Sequence, residues 1–470
     1  MKTECSEATV EFQALGTRQV VGRFDGGQIT SDAGGVLLRE VERQTGILRR
    51  LAECFEDHRD PLRIEHTVYE LVSQRVYALA LGYEDLNDHD DLRHDPLLAV
   101  LVGKTDPGGE VRRHKRDCGK ALAGKSTLNR LELTPVAANA DSRYKKIVAH
   151  QRPIEDLFVE VFLEAHEQAP PQIILDLDAT DDPVHGHQLG RFFQGYYGHY
   201  CFLPLYIFAG DHLLASKLRP ADIDAASGSI AELERIISQI RARWPQVRII
   251  VRGDSGFCRD NLMSWCERNQ VDYVLGLAKN DRLLAELAPE LYEAEENYLA
   301  TGMAARVFRD FRYRTLDSWS CERRAVGKAE HLPRGANPRF VVTSLSLDEF
   351  SASALYETLY CARGEMENRI KEQQLCLFAD RTSAHTMRAN QLRLWLSSIA
   401  YTLMNALRRL GLPGTPLASA QCDTIRLKLL KLGALVRVTV RKVWLSFSTG
   451  YPYQAVFAVV CRNLQLRAGP

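Results

Sequence analysis

Three acidic positions, far apart in the chain, have the type and setting to do chemistry together. In Ile173 to Gly186, IILDLDATDDPVHG, an apolar run ends in Asp176, Asp178, Asp181 and Asp182. Two carboxylates about 4 Å apart repel by roughly 1 kcal/mol in water and several-fold more near a protein interior. Such a cluster therefore needs a metal, a basic partner or exposure to offset it. Asp254 ends a second apolar run, IIVRGDSGF, where Ser-Gly opens a loop. A third acid stands in YCARGEMENRIK, where Tyr360, Arg363, Glu367 and Lys371 are spaced by three, four and four and so share one helical face. Glu365 and Glu372 point elsewhere. The competing reading of that face is an exposed ion-pair ladder, Arg363–Glu367–Lys371.

Carboxylates on separate elements suit phosphoryl chemistry. Hard oxygen donors leave Mg2+ with open positions for a phosphate and a water. Two ions about 3.5–4 Å apart activate the attacking oxygen and stabilise the leaving one in an in-line displacement. Arg363 and Lys371 are placed to hold the Glu367 carboxylate and to contact phosphate. Asp176 and Asp178 fall on the same side of a strand, so spacing leaves open which of them would bind metal. Asp181 and Asp182 read as turn residues.

Other motifs are weaker. GKALAGKS, residues 119–126, matches the phosphate-loop pattern G-x-x-x-x-G-K-[ST] in full. That loop must follow a buried strand, and here it follows RRHKRDC. The segment TLNRLELTP after it offers barely two helical turns before Pro135. A polar helix start is the better reading, and an ATPase is disfavoured. His185 and His187 lack a matching Cys/His set for zinc. Ser255 reads as a turn residue, and Tyr196, Tyr197 and Tyr200 as packing beside a sheet.

The elements that would position the acids follow from periodicity. Amphipathic helices are predicted through residues 33–55 and 64–83, with Ser31 and Asp32 as a cap, and 1–168 reads as a mainly helical lobe. Pro170-Pro171 marks its end. Beyond it, strands come first and then alternate with helices: QIILDLDAT, YCFLPLYIF, LLASKLRP, a helix over 230–244, the strand VRIIVRGD, a helix over 259–269, and the strand VDYVLGLAK. That order implies a mixed sheet flanked by helices. The expected divisions are 1–168, 169–284 and 346–410 around a β-rich insertion at 285–345, with a basic region at 411–470.

Composition narrows the class. The chain has 470 residues, with 45% hydrophobic and 26% charged, as in a globular protein of several lobes. No run of 18 apolar residues predicts a membrane span, and MKTECSEATVEF predicts no export signal. Eleven cysteines with no Cys-x-x-Cys pair argue for free thiols in a reducing cytoplasm. Net charge is zero, but eight bases and no acid follow Asp423, so the tail is +8 on a body of −8. A basic end on an acidic body suits a phosphate backbone, with Arg426, Lys428, Lys431, Arg437, Arg441 and Lys442 as candidate DNA contacts.

The segments FDGGQITSDAGGVLLREVER, RVYALALGYEDLNDHDDLRHDPL, AGKSTLNRLE, LDLDATDDPVHG, IIVRGDSGF and RGEMENRIKE together resemble the DDE transposases of bacterial insertion sequences. The likeness is specifically to the family numbered thirteen-eighty, related to the group numbered four. The resemblance implies an α/β, ribonuclease-H-like mixed sheet interrupted by a β insertion before the helix of the third acid. It implies Asp178, Asp254 and Glu367 as catalytic acids and metal ligands, with Asp176 in reserve. Tyr360, Arg363 and Glu367 match the related group's Tyr-x2-Arg-x3-Glu signature. That signature continues to a Lys where this chain has Gln374, and Lys371, a turn earlier, is the expected substitute. Two Mg2+ ions, or Mn2+ in their place, are implied, as are double-stranded DNA partners (terminal inverted repeats and target) and a homodimer or larger assembly on bacterial nucleoid DNA. A stand-alone nuclease and an inactive transposon-derived DNA-binding protein are the alternatives.

Overall fold

The computed structural model describes residues 9–466. The first eight residues and Arg467 of the basic tail lie outside them. The chain divides into two compact units, residues 149–398 and residues 1–148 with 399–470.

The unit of residues 149–398 is built on a nine-stranded mixed sheet. Eight strands stand in a row: β1 (Gln172–Ala179), β2 (Leu205–Ala209), β3 (His212–Lys217), β4 (Arg248–Gly253), β5 (Asp272–Leu277), β6 (Ala305–Tyr313), β7 (Arg323–Leu332) and β8 (Arg339–Thr343). Their spatial order is β3-β2-β1-β4-β5-β8-β7-β6, with the short strand Gly335–Ala336 beside β7. β1, β2 and β3 form an antiparallel meander, while β4 and β5 run parallel to β1. The parallel returns carry helices, α1 (Ser229–Arg243) before β4 and α2 (Asp260–Arg268) before β5, as crossovers require.

Alternation along the strands divides this sheet's two faces. Leu175, Leu177, Ile249, Val251, Tyr273 and Leu275 bury one face in the main core. The intervening Val274, with Val326 and Val341, faces a second cluster completed by Leu355, Tyr356 and Leu359. Ile174 packs against this second cluster, so Asp176 and Asp178, two and four residues on, lie on the same face. The helical stretch after residue 354 thus covers the face on which these two acids stand.

The segment expected as a separate β insertion is continuous with this sheet. β8 pairs antiparallel with β5, and β7 and β6 extend the row; β7 is buried on both faces, with Ala325 and Ala329 in the main core and Val326 in the second cluster. Residues Ala288–Thr301, at the start of that segment, are helical.

The other unit joins the chain's two ends. Helix Val68–Leu81 carries a capping box, Thr67 with Glu70. Ile29–Thr30 pairs with Ala434–Val438, which forms a hairpin with Val443–Phe447. Residues 411–470, read from sequence as a separate basic region, and residues 399–410, read as the end of the helical catalytic part, therefore complete the fold of residues 1–148. α-Helix Val36–Thr45 begins after a tight turn of Ala33–Gly35, and Asp32 makes no capping bond to it. Asp32 instead accepts the Tyr83 hydroxyl at 2.6 Å and pairs with Lys431 Nζ at 2.6 Å. A tertiary ion pair has taken the side chain that sequence assigned to a cap. Among the described residues no helix is long and apolar enough to cross a membrane.

Candidate active site

The site begins with strand register. β1 and β4 are parallel neighbours, with Asp176 opposite Arg252 and Leu177 opposite Gly253. The next residues, Asp178 and Asp254, therefore leave the ladder side by side. Asp254 caps the tight turn Ser255–Phe257, its Oδ1 accepting the Gly256 N–H at 2.8 Å. That bond fixes one carboxylate oxygen. Asp178 Oδ1 accepts the Ala179 N–H at 2.9 Å.

The third acid arrives on a helical stretch whose pitch changes. Ala354–Tyr360 is wound wide, with π-type hydrogen bonds, Cys361–Arg363 is a tight turn, Gly364–Lys371 is α-helical, and Glu372–Cys376 is wide again. Such π segments often occur at functional sites. Regular α spacing therefore does not hold over Tyr360 to Lys371. Arg363 Nη2 lies 2.7 Å from Glu367 Oε1, and its Nη1 lies 3.8 Å from Asp178 Oδ2. Lys371 is exposed, while Gln374 donates to the Asp181 carbonyl at 3.0 Å. Position 374, expected from the related group's signature to be a lysine, thus reaches the loop after β1 as an uncharged glutamine.

The electrostatics tie the three acids together. Burial pushes the Asp178 carboxyl up to about 6; Arg363 opposes this, and Asp254 and Glu367 both add to it. Asp178 therefore feels both other acids, with one guanidinium among them. The donor set is all carboxylate oxygen, which suits a hard divalent ion. Among the described residues, however, no three His, Cys, Asp or Glu side chains are gathered closely enough to enclose one. In this arrangement Arg363 supplies the positive charge.

Asp176 has a different task. Its carboxylate is held by Arg252, with Nη2 to Oδ2 at 2.7 Å, and both residues are buried. Arg252 Nη1 also donates to the Leu359 carbonyl. This fork ties β1, β4 and the wide helical turn together, and it engages the Asp176 carboxylate that sequence held in reserve as a ligand. Sequence held one clue, since the lone arginine in IIVRGD had to find a partner once buried.

Gly276 is the other residue that sequence reasoning passed over. A β-carbon there would lie 2.5 Å from the Tyr360 hydroxyl, 2.9 Å from the Ser255 nitrogen and 3.2 Å from the Asp254 carbonyl carbon. A bare strand position lets Tyr360 and the Asp254 turn share that space. An isolated glycine within a strand is the usual mark of such an approach.

The family described as transposase DDE domain group 1 matches residues 12–468. The chain belongs to this family. No curated protein matches it. Among solved structures, the cryo-electron microscopy structure of the piggyBac transposase synaptic complex with hairpin DNA resembles it with a TM-score of 0.41 at 12% identity, over 93% of this chain and 82% of that one.

Other candidate residues of this transposase are committed to its fold. Arg426 is buried and donates to the Ala80 and Leu79 carbonyls at the end of helix Val68–Leu81, which corrects its reading as a DNA contact. Lys431 is taken by Asp32 and lies over the Tyr83 ring, and Lys428 lies over Tyr453. Arg437, Arg441 and Lys442 stay exposed on the hairpin. Asp181 pairs with His199 at 2.8 Å, and Asp182 sits buried in a short strand, not in an open turn. In the phosphate-loop lookalike, Lys125 begins helix Lys125–Glu132 and contacts Asp90 and Asn87, each at 3.3 Å. A tight turn, Lys115–Asp117, precedes the loop where a strand would be required.

Proposed function

We propose that this transposase cleaves and joins DNA strands at the ends of an insertion sequence of the family numbered thirteen-eighty, using Asp178, Asp254 and Glu367 as its three acids. The observation that carries this reading is geometric: parallel register sets Asp178 of one strand beside Asp254 of the next, and Arg363 reaches Asp178 at 3.8 Å and Glu367 at 2.7 Å. A ribonuclease-H-like fold is supported by the antiparallel meander β1–β3 followed by β4 and β5 parallel to β1.

The acids have separable tasks. Asp254, pinned by the Gly256 N–H, gives a fixed carboxylate, and Asp178 gives a half-buried one beside it. Arg363 orients Glu367 through a single Nη2 contact and, through Nη1, offsets the charge of Asp178. Tyr360 lies against the Asp254 turn across Gly276 and steadies it. Asp178, Asp254 and Glu367 would hold Mg2+, or Mn2+ in its place, only after drawing closer together than they stand here. When bound, the ions supply Lewis-acid activation of water and of the leaving 3′ oxygen. The helical residues of 1–148 and the exposed Arg437, Arg441 and Lys442 would meet double-stranded DNA, first the terminal inverted repeats and then the target. Two ends must be paired, so a homodimer or larger assembly is expected on nucleoid DNA in the cytoplasm.

The test is strand transfer with the element's own ends and Mg2+. Glu367→Gln should bind ends normally and lose cleavage and joining by orders of magnitude. Glu365→Gln, whose carboxylate lies 3.6 Å from Arg369 instead, should stay close to wild type. Near-normal cleavage by Glu367→Gln would reject the assignment.

A further inference from the structure

In the unit of residues 1–148 with 399–470, the described residues line an open cavity of about 570 Å³, with nine lysines and arginines against three acids. Some of these bases form a braced floor. Arg112 is held by Glu65 at 2.7 Å and by the Lys120 carbonyl, and Arg59 forks onto Asp57 at 2.7 Å. Others remain in solvent: Arg63, Arg113 and Arg116 are exposed. Arg63 and Arg116 have only loose acid neighbours, Asp60 at 3.3 Å and Asp117 at 3.7 Å.

His66 in the wall registers the field. It is 7% exposed, and Arg112 Nη2 lies 3.2 Å from its Nε2. A guanidinium can only donate, so Nε2 accepts and the neutral ring carries its proton on Nδ1. That Nδ1 is buried with no protein partner. Burial, then Lys104, Arg112 and Arg59, bring the ring down to about 3.

The lining favours a phosphodiester backbone over a free nucleotide. Its residues are almost all polar or charged, and a nucleotide site needs an apolar slot for the base. The single aromatic side chain, Tyr144, already has Arg130 and Arg143 within 5.0 and 4.9 Å of its ring centre. Lys125, which a phosphate loop would aim at the ligand, contacts Asp90.

We propose that this cavity grips the phosphate backbone of double-stranded DNA without reading its sequence. The inference rests on the transposase reading only for the choice of DNA as the partner. It locates the main phosphate anchor within the helical lobe, at residues 59–147, ahead of the tail residues Arg437, Arg441 and Lys442.

The test uses the full chain and a labelled duplex of random sequence, titrated across about 50–200 mM salt. The variant Arg63→Gln/Arg113→Gln/Arg116→Gln should flatten the slope of log affinity against log salt by about 0.9 per lost contact, two to three units in all. The matching triple change to lysine should restore most of the slope, which separates lost charge from lost fold. Arg437→Gln/Arg441→Gln/Lys442→Gln should change it less. An unchanged slope in the cavity variant with a normal melting curve overturns the proposal. So does saturable ATP binding that the cavity variant loses while its DNA slope stays put. Catalysis is read separately. If the wild type cleaves no element ends while the cavity variant flattens the slope, the catalytic reading fails and the anchor stands. Cleavage by wild type with an unchanged slope sinks the anchor alone.

Discussion

Arg363 bridges two carboxylates from different elements, with its guanidinium 2.7 Å from Glu367 and 3.8 Å from Asp178. It is the one residue of the late helix that reaches toward both the strand acid and the helix acid. Arg363→Gln should leave DNA-end binding intact and lower Mg2+-dependent cleavage by about 10²-fold, the cost of a misplaced group near 1 Å. Arg363→Lys should recover little of this, because a point charge lacks the fork. Cleavage of wild-type rate in Arg363→Gln would make the bridge incidental.

Gly276→Ala should act on the site through space. The new β-carbon meets Tyr360 and the Asp254 turn at once, with an expected cost of about 1–3 kcal/mol in stability and a loss of cleavage. Adding Tyr360→Phe removes the nearest atom, at 2.5 Å, but not the Ser255 nitrogen. The double variant should therefore regain part of the melting temperature of the single one. No recovery would mean that backbone displacement alone accounts for the defect.

Asp176 and Arg252 should behave as a structural pair. Asp176→Asn leaves a buried guanidinium without its counter-charge, which costs about 3–5 kcal/mol. Asp176→Leu with Arg252→Met removes both charges and should recover much of that loss. Denaturation midpoints of the two variants check this. A fully stable Asp176→Asn that has lost only Mg2+-dependent activity would return Asp176 to the metal ligands.

His89 sets a pH dependence of known sign. Burial, then the charge of Arg75, lower it to about 3, against 6.5 for a free ring. Between those values the unfolded chain takes up a proton that the folded chain refuses. Stability present above pH 6.5 is therefore lost as pH falls through this window, at up to about 1.4 kcal/mol per pH unit. His66 adds in the same direction. Urea midpoints at pH 7 and pH 5 should fall less in His89→Gln than in wild type, by about one proton's worth, and equal losses would refute the claim.

Some of this was legible from sequence, for physical reasons. β1, β4 and β5 announce themselves because strands buried on both faces read as apolar runs, and Asp178 and Asp254 stand where those runs stop. Strand pairing is not local, so the Asp176–Arg252 fork was hidden until β1 and β4 were known to be neighbours. The face carrying Tyr360, Arg363 and Glu367 was read with a constant α pitch, which the wide turns interrupt. The tail misled through its charge. Counting bases cannot tell an exposed Arg441 from an Arg426 spent on carbonyls 346 residues away.

The pairing of Ile29–Thr30 with Ala434–Leu435 has a consequence for synthesis. The early strand cannot find its partner until about 400 further residues have been made, a wait of roughly 20–80 s at about 5–20 residues per second. During that time residues 149–398 leave the ribosome in one block and can close their own core. The opening segment meanwhile waits as an unpaired strand edge, a template for wrong pairing with neighbouring nascent chains. Emergence of residues 434–438, not of residues 29–30, therefore starts the clock for this strand pairing in the unit that holds the basic cavity.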